Sequence, residues 1–117
     1  MPPPKYRSRL ELLQGTLDFL ILQVLRAGPR HGYGISQAIN AGSDEVFKVD
    51  TGSLYPALHR LEKRGWVTAS WQTSANRQRT RVYRLTAAGR RQLSAEHSRW
   101  QQFVGAVSAL LGRTSEV

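Results

Sequence analysis

Hydrophobic side chains recur with the period of an α-helix in two segments near the start of the chain. Residues 16–26 have an apolar face too broad for a single stripe, so this helix needs neighbours on two sides. Gly28 followed by Pro29 ends it, because the proline cannot continue a helix. Residues 32–40 form a shorter helix, and Tyr33 near its start is predicted to be a partly buried packing residue.

A third predicted helix has the clearest boundaries. Asp50 or Thr51 supplies the side-chain oxygen that caps its start, and Gly65 ends it. Its core-facing leucines, at i, i+4 and i+7, are Leu54, Leu58 and Leu61. The opposite face has no acidic side chain and consists of Gly52, Pro56, His59, Arg60 and Lys63. Because proline lacks a backbone donor, Pro56 must lie close to the helix start, and we expect a tight or irregular first turn there.

After this helix the apolar positions alternate with a period of two, which predicts two β-strands. The alternating positions are Val67, Ala69 and Trp71 on the first strand and Tyr83 and Leu85 on the second. The polar, basic segment between them is too long for a two-residue turn and has its turn at residues 74–76. We therefore predict a hairpin whose connection, residues 72–79, projects as a flexible wing.

The last predicted helix begins at a Thr86 cap and carries an apolar stripe based on a seven-residue repeat. The stripe consists of Leu93, Trp100, Phe103, Val107 and Leu110. A stripe of this kind needs a partner helix, and we favour the same helix of a second copy of the chain. Glu96 and Gly105 interrupt the repeat, so docking against the same chain is the alternative.

Length and composition narrow the class of protein. A chain of 117 residues fits one domain, and 17 Lys and Arg against 8 Asp and Glu give a charge of +9 that attracts polyanions such as nucleic acids. The absence of cysteine excludes a disulfide framework, a thiolate metal site and a cysteine nucleophile, and indicates a reducing cytoplasm. No membrane association is predicted, because the longest apolar run of the N-terminal stretch covers only residues 19–22.

The strongest charge bias lies between residues 63 and 91, which contain eight basic side chains and no acidic one. They are Lys63, Arg64, Arg77, Arg79, Arg81, Arg84, Arg90 and Arg91. The order of elements is that of a winged helix-turn-helix, a mainly α fold with a two-stranded β-hairpin, whose third helix enters the DNA major groove. The predicted DNA-contacting residues are Ser53, Tyr55, Pro56, His59, Arg60 and Lys63 on the helix and Arg77 and Arg79 on the wing.

These elements divide the chain into four parts. Residues 1–12, rich in proline, form an N-terminal arm, and residues 13–86 form the winged helix-turn-helix DNA-binding domain. Residues 87–112 form the C-terminal dimerisation helix, and residues 113–117 form a polar tail.

Four sequence motifs resemble the PadR family of bacterial transcriptional regulators from about residue 13 to residue 111. The motifs are GTLD at residues 15–18, HGYGI at residues 31–35, GSLYPALHRLE at residues 52–62 and YRLTAAG at residues 83–89. The resemblance implies a cytoplasmic homodimer whose last helices pack across a two-fold axis and whose third helices each bind one half-site of a palindromic operator. It also implies a repressor, and it makes Pro56 a regular feature of the third helix.

The resemblance further suggests a small-molecule effector. Some small members of this family bind aromatic compounds between subunits through a tryptophan on the last helix, and Trp100 stands at that position. Trp100 is thus a candidate stacking platform for a small aromatic effector. The simpler interpretation, which we favour, is that Trp100 is an aromatic residue of the dimer core.

Other classes of function find less support. The main alternative is a winged-helix protein-interaction module that does not bind DNA, because fold alone does not determine function. RNA binding is disfavoured, since no aromatic strand face interleaved with basic residues is evident in the sequence. Catalysis is also disfavoured, because His31, His59 and His97 lie far apart and in no metal or nucleophile motif. We predict no catalytic residue, metal or cofactor.

Overall fold

The computed structural model describes the backbone of residues 14–115 and the side chains of residues 15–112. The predicted arm, residues 1–12, lies outside the described residues, as do residues 116 and 117 of the predicted tail. Within this range the chain forms α1 (Gln14–Leu25), β1 (Arg30–His31), α2 (Gly32–Gly42), α3 (Thr51–Lys63), β2 (Val67–Thr73), β3 (Arg79–Leu85) and α4 (Ala87–Ser115).

The first three helices pack together around the apolar core that the sequence pattern predicted. α1 begins two residues before the predicted position, at Gln14. α2 begins at Gly32 as predicted and continues two residues further, to Gly42. Its start is capped by His31, whose Nδ1 accepts a hydrogen bond from the backbone N–H of Gly34 at 3.0 Å.

α3 confirms the predicted cap and core face. The Asp50 carboxylate accepts a hydrogen bond from the backbone N–H of Ser53 at 2.9 Å. The core-facing side chains are fully buried and are Leu54, Leu58 and Leu61. The expected irregular first turn was wrong: α3 is continuous through Pro56, and the N–H of Leu54 bonds the carbonyl of Asp50 at 3.0 Å. Pro56 is the sixth residue of α3, which is further from the helix start than predicted, and the carbonyl of Gly52 therefore lacks the helical donor that a non-proline residue would supply; the proline ring lies on the exposed side.

The sheet of the described residues has three strands and not the predicted two. β1 pairs antiparallel with β3, placing Arg30 opposite Tyr83, and the strand order is β1-β3-β2. A two-residue strand is too short to show a period of two, so the alternation of apolar residues gave no signal for it. β2 and β3 pair from Val67 opposite Leu85 to Thr73 opposite Arg79, which leaves residues 74–78 as the connection.

This connection is shorter and better bonded than predicted, because the outer part of the wing belongs to the two strands. The N–H of Ser74 donates to the carbonyl of Gln78 at 2.8 Å, and the N–H of Arg77 donates to the carbonyl of Ser74 at 2.9 Å. Arg77 has a φ of 65°, in the left-handed region that a turn of this kind uses. The wing therefore ends in a defined turn that presents the Arg77 side chain to solvent.

α4 is the longest helix of the described residues, with 29 residues. Its start confirms the Thr86 cap, because the Thr86 hydroxyl accepts a hydrogen bond from the N–H of Gly89 at 3.0 Å. Gly89 is required at this joint, since a Cβ there would lie 2.0 Å from the carbonyl oxygen of Trp66. The helix continues through Ser115, beyond the boundary predicted at residue 112. None of the helices described has the length and apolar character needed to span a membrane.

The two halves of α4 have different environments. Leu93, in the first half, is buried in the core of its own chain together with Leu17 and Leu85. The prediction that Leu93 belongs to a dimer interface was therefore wrong. An apolar stripe alone does not show at which residue a helix stops packing against its own chain. Trp100, midway along, stacks on Phe19 of α1 with ring centroids 5.7 Å apart.

Candidate nucleic-acid interface

The exposed face of α3 presents five of the six helix residues predicted to contact DNA. Ser53, Tyr55, Pro56, His59 and Lys63 are all exposed. The Asp50 cap and the buried leucines orient this face, because the leucines fix which side of α3 meets the core. The face is polar to cationic, and its hydroxyl, imidazole and ammonium groups are suited to phosphates and base edges.

Arg60, the sixth predicted residue, has a different environment. Its guanidinium donates to the Asp18 carboxylate of α1 across 2.8 Å, and the two side chains are only 28% and 9% exposed. The Nε of Arg60 is buried and has no partner among the described residues. Arg60 therefore connects α3 to α1 and is not presented beside His59 and Lys63. The position of Asp18 inside the apolar face of α1 indicates a buried acidic residue that needs a partner, but it does not identify Arg60 as that partner.

Two arginines of β3 lie close to an exposed tryptophan of β2. The Arg79 guanidinium lies 4.8 Å from the centre of the Trp71 ring, and that of Arg81 lies 5.9 Å from the same ring. Arg81 also lies 5.9 Å from the centre of the Tyr83 ring. This face of β2 and β3 corrects the expectation that no aromatic strand face interleaved with basic residues exists. Trp71 lies on the same side of β2 as Val67 and Ala69, as predicted. The strand extends past the core, however, so the Trp71 ring is exposed.

An ion pair joins the strands to α3. The Glu62 carboxylate, next to Lys63, accepts a hydrogen bond from the Arg81 guanidinium at 2.9 Å. Arg81 was counted within the basic run, but the pair neutralises much of its charge. The same pair holds β3 against α3, so the wing and the exposed face of α3 belong to one continuous surface.

A cavity of about 370 Å³ lies where the start of α2, α3 and the wing meet. No acidic side chain lines it; its lining residues are His31, Gly32, Tyr33, Tyr55, Trp71, Arg79, Thr80, Arg81 and Tyr83. A Cβ at Gly32 would lie 2.4 Å from the Tyr55 hydroxyl oxygen, so a larger residue there would require the half-exposed Tyr55 ring to move. The glycine lets the Tyr55 ring lie over the start of α2.

Tyr33 is the residue of this cavity that sequence reasoning missed. It was expected to be a partly buried packing residue, and this was wrong, since Tyr33 is 63% exposed. Helical periodicity could not show this, because Tyr33 lies in the first turn of α2, where the chain enters from β1. Tyr33 lines the same cavity as Tyr55 and Arg79.

Tyr83 forms the inner wall of the cavity. Burial raises the pKa of its hydroxyl above the ordinary value of 10.0, Arg81 opposes this rise, and Glu62 adds to it. The phenol therefore stays neutral at physiological pH, and Tyr83 contributes no negative charge to a surface that is otherwise positive.

Metal binding has no structural support in the part of the chain that the structure describes. No three His, Cys, Asp or Glu side chains are grouped there as metal ligands would be. Among the three histidines, His31 is occupied as the cap of α2, and His59 and His97 are exposed on different helices.

A second surface lies on the C-terminal half of α4. Its large apolar side chains are between 37% and 63% exposed and are Phe103, Val104, Val107, Leu110 and Leu111. Phe103 also meets the ring of Trp100 edge to face, with centroids 5.6 Å apart. Four of the five predicted dimerisation residues, Trp100, Phe103, Val107 and Leu110, thus lie along this part of the helix. An apolar patch of this extent is unusual for a surface that stays in water.

Sequence comparison relates this arrangement to known proteins. Residues 21–95, from α1 into α4, match the model of the transcriptional regulator PadR-like family. An uncharacterized protein of Lysinibacillus sphaericus is 30% identical over 94 residues, which cover 80% of this chain and 86% of that protein.

Solved structures share the fold. A PadR-like transcriptional regulator from Bacillus cereus has a TM-score of 0.74 at 27% identity, over 85% of this chain and 94% of that one. Bacillus subtilis PadR, solved in complex with operator DNA, has a TM-score of 0.62 at 25% identity, over 68% of this chain and 45% of that one. The resemblance seen in the sequence motifs is confirmed. The chain belongs to the PadR-like family of transcriptional regulators.

Proposed function

We propose that this protein regulates transcription by binding double-stranded DNA in a sequence-specific manner. The observation that carries the proposal is the continuous exposed surface of α3 and the wing, joined by the Glu62–Arg81 ion pair. The complex of the related Bacillus subtilis PadR with operator DNA supports it. A winged helix-turn-helix with this surface has its basic side chains where a duplex backbone would pass.

The residues of α3 and of the wing would contact different parts of the DNA. Ser53, His59 and Lys63 would face base edges or phosphates in the major groove, and Tyr55 would donate its hydroxyl to a phosphate from the flank. Pro56, on the exposed side of α3, would affect how closely the helix approaches the DNA. Arg77 and Arg79 would bind the neighbouring phosphate backbone or enter a minor groove. We assign Arg60 a structural role, because its guanidinium is paired with Asp18.

The proposed active form is a homodimer. The exposed apolar side of α4 would be covered by the same helix of a second copy, through Trp100, Phe103, Val107 and Leu110. A two-fold arrangement presents two α3 helices, so the operator would be palindromic, with half-sites about one helical turn apart.

Repression and its relief by an effector are part of the same proposal. We propose repression, relieved by a small aromatic compound that stacks on Trp100. Phe19 and Phe103 already contact the Trp100 ring, so such a compound would displace or extend this aromatic cluster. A titration of aromatic compounds that quenches the tryptophan fluorescence of the wild type but not of Trp100→Phe would support the effector site. Equal quenching of both proteins would refute it.

Binding to fluorescently labelled DNA at increasing salt tests the central claim. A duplex-binding protein should bind at low salt and lose affinity steeply as salt rises, since bound cations are released from the phosphates. A protein-interaction module without DNA binding would show no affinity for any duplex at low salt. If structured RNA displaces the labelled duplex more effectively than unlabelled duplex DNA does, the protein binds RNA. Selection of bound sites from a random duplex pool should return a symmetric motif.

A further inference from the structure

Trp71 is a large aromatic side chain to which the proposed function gives no role. It is 57% exposed and lies on β2 beyond the core, so burial does not explain its presence. Its ring instead makes contact with the guanidinium of Arg79, which lies 4.8 Å from the ring centre. That distance is within the range of a cation–π contact, and tryptophan is the strongest partner for it.

The strand register accounts for this contact. Trp71 pairs with Arg81, and Thr73 pairs with Arg79, so Trp71 and Arg79 are diagonal neighbours on adjacent strands. Diagonal neighbours on one face of a sheet are within reach of aromatic and long side chains. The contact is therefore built into the hairpin, and it brings the Arg79 side chain back from the wing toward the Trp71 ring.

Arg81 lies between the Trp71 ring and α3 and contacts both. Its guanidinium is bonded to Glu62 of α3 at 2.9 Å and lies 5.9 Å from the Trp71 ring centre. Arg81 thus connects the Trp71 ring to α3. Through this connection the position of Arg79 is fixed relative to α3, and not only relative to its own strand.

A cation–π contact of this kind can leave the donors of an arginine available, as in the arrangement in which the guanidinium lies flat on the ring. The guanidinium is planar, so a ring that covers its flat side leaves the N–H groups at its edge free to bind a phosphate in bidentate fashion. The ring also restricts the rotamers of a side chain that would otherwise be disordered in solvent, which lowers the entropy lost when a phosphate binds.

We propose that Trp71 is a positioning residue that holds the Arg79 guanidinium in the orientation in which it binds a backbone phosphate of the DNA duplex. This inference rests on the proposed DNA binding. It assigns Trp71 to the DNA interface without requiring that its ring touch DNA, and it separates Arg79, which binds, from Arg81, which holds the assembly to α3.

A double-mutant cycle tests the proposal with the full chain and a fluorescently labelled duplex. The proteins are the wild type, Trp71→Leu, Arg79→Ala and the double variant, with Trp71→Phe as the conservative control. Trp71→Leu should weaken binding about two- to fivefold, the size of an exposed cation–π contact. Arg79→Ala should weaken it at least as much and lower the salt slope by about one. The double variant should bind no more weakly than Arg79→Ala, and Trp71→Phe should stay within about twofold of the wild type.

The coupling distinguishes positioning from a general structural effect. A merely structural role of Trp71 would lower the affinity of the Arg79→Ala protein as much as that of the wild type. Lys63→Ala supplies the matched control: its effect should multiply with that of Trp71→Leu, because Lys63 does not contact the ring. Thermal unfolding of each variant shows whether it is folded, and Trp71→Thr, which also lacks a ring and favours a strand, takes the place of Trp71→Leu in the cycle if that protein is not.

Several results would overturn the inference. The inference is wrong if the losses of affinity caused by Trp71→Leu and Arg79→Ala multiply in the double variant. It is also wrong if neither variant changes the affinity for the duplex, or if Trp71→Phe binds as weakly as Trp71→Leu. In these cases a wild type that still binds duplex DNA leaves the proposed function standing. A wild type that binds no duplex at low salt refutes both.

Discussion

The guanidinium of Arg60 lies 2.8 Å from the carboxylate of Asp18, and this ion pair connects α3 to α1. Asp18 belongs to the core-facing side of α1 and is nearly buried, whereas Arg60 follows the exposed His59. The pair therefore lies at the border between the core and the proposed DNA-binding face. It fixes the orientation of α3 in addition to the leucines of its apolar side.

Removing the acidic partner should destabilise the protein. Asp18→Ala leaves the Arg60 guanidinium partly buried without an acceptor, and we expect the free energy of unfolding to fall by about 1–3 kcal/mol. Asp18→Asn keeps an acceptor oxygen and should cost less. Urea denaturation measures both. The matched control is Lys48→Ala, which breaks the exposed Glu45–Lys48 pair and should cost under about 0.5 kcal/mol. An Asp18→Ala protein as stable as Lys48→Ala would contradict the role of the pair.

The sequence predicted best those features that depend on neighbouring residues. Leu54, Leu58 and Leu61 were assigned to the core because helical geometry alone places them on one side of α3. The Asp50 and Thr86 caps were found for the same reason, since a cap bonds a backbone N–H three residues away.

Features that depend on distant parts of the chain were not predicted. Asp18 and Arg60 are 42 residues apart, and no local pattern relates them. The same holds for β1, which exists because Arg30 and His31 meet β3. Leu93 was assigned to a dimer because its stripe continues along α4, while the core of the same chain ends partway along that helix.

A substitution at the buried Leu58 should weaken DNA binding only because it lowers the fraction of folded protein. Leu58 is 1% exposed, so Leu58→Ala should lower the free energy of unfolding by about 2–5 kcal/mol. Chemical denaturation measures this, with the exposed Val46→Ala as the control that should change stability little. If Leu58→Ala kept wild-type stability, α3 would not be anchored by this side chain.

Two basic side chains should contribute separately to the salt dependence of DNA binding. Lys63→Ala and Arg77→Ala should each weaken binding to any duplex and lower the slope of log affinity against log salt by about one. Neither should change stability appreciably, because both side chains are exposed. Arg99→Ala removes the same charge from α4, where Arg99 is paired with Glu96, and should leave the slope unchanged. A slope unaffected by Lys63→Ala would remove that residue from the interface.

Stability should decline in alkali because of Tyr83. Its pKa is raised above 10.0 in the folded protein, chiefly by burial, so the folded state holds the phenol proton more tightly than the unfolded chain. The contribution is therefore fully present below pH 10.0 and is lost as the pH rises through the raised value. Denaturation on either side of that pH should show a loss in the wild type that is smaller in Tyr83→Phe. Identical pH profiles would contradict the assignment.

A charge placed on the apolar side of α4 should separate the proposed dimer. Val107 lies between Phe103 and Leu111 on one side of the helix, and all three side chains are exposed in the single chain. Val107→Asp would bury an unpaired carboxylate between two α4 helices and should raise the dimer dissociation constant more than about tenfold. Ala109→Asp introduces the same charge on the opposite side and serves as the control. Sedimentation analysis measures the oligomeric state of both.

The same two variants connect assembly to DNA binding. A dimer engages both halves of a symmetric site, so the second contact is effectively intramolecular, and a monomer loses that advantage. Val107→Asp should therefore weaken binding to a symmetric duplex much more than to a half-site duplex, whereas Ala109→Asp should leave both unchanged. If Val107→Asp remained dimeric, or if the wild type were a monomer, the α4 interface would be wrong, although α3 and the wing would still bind a half-site.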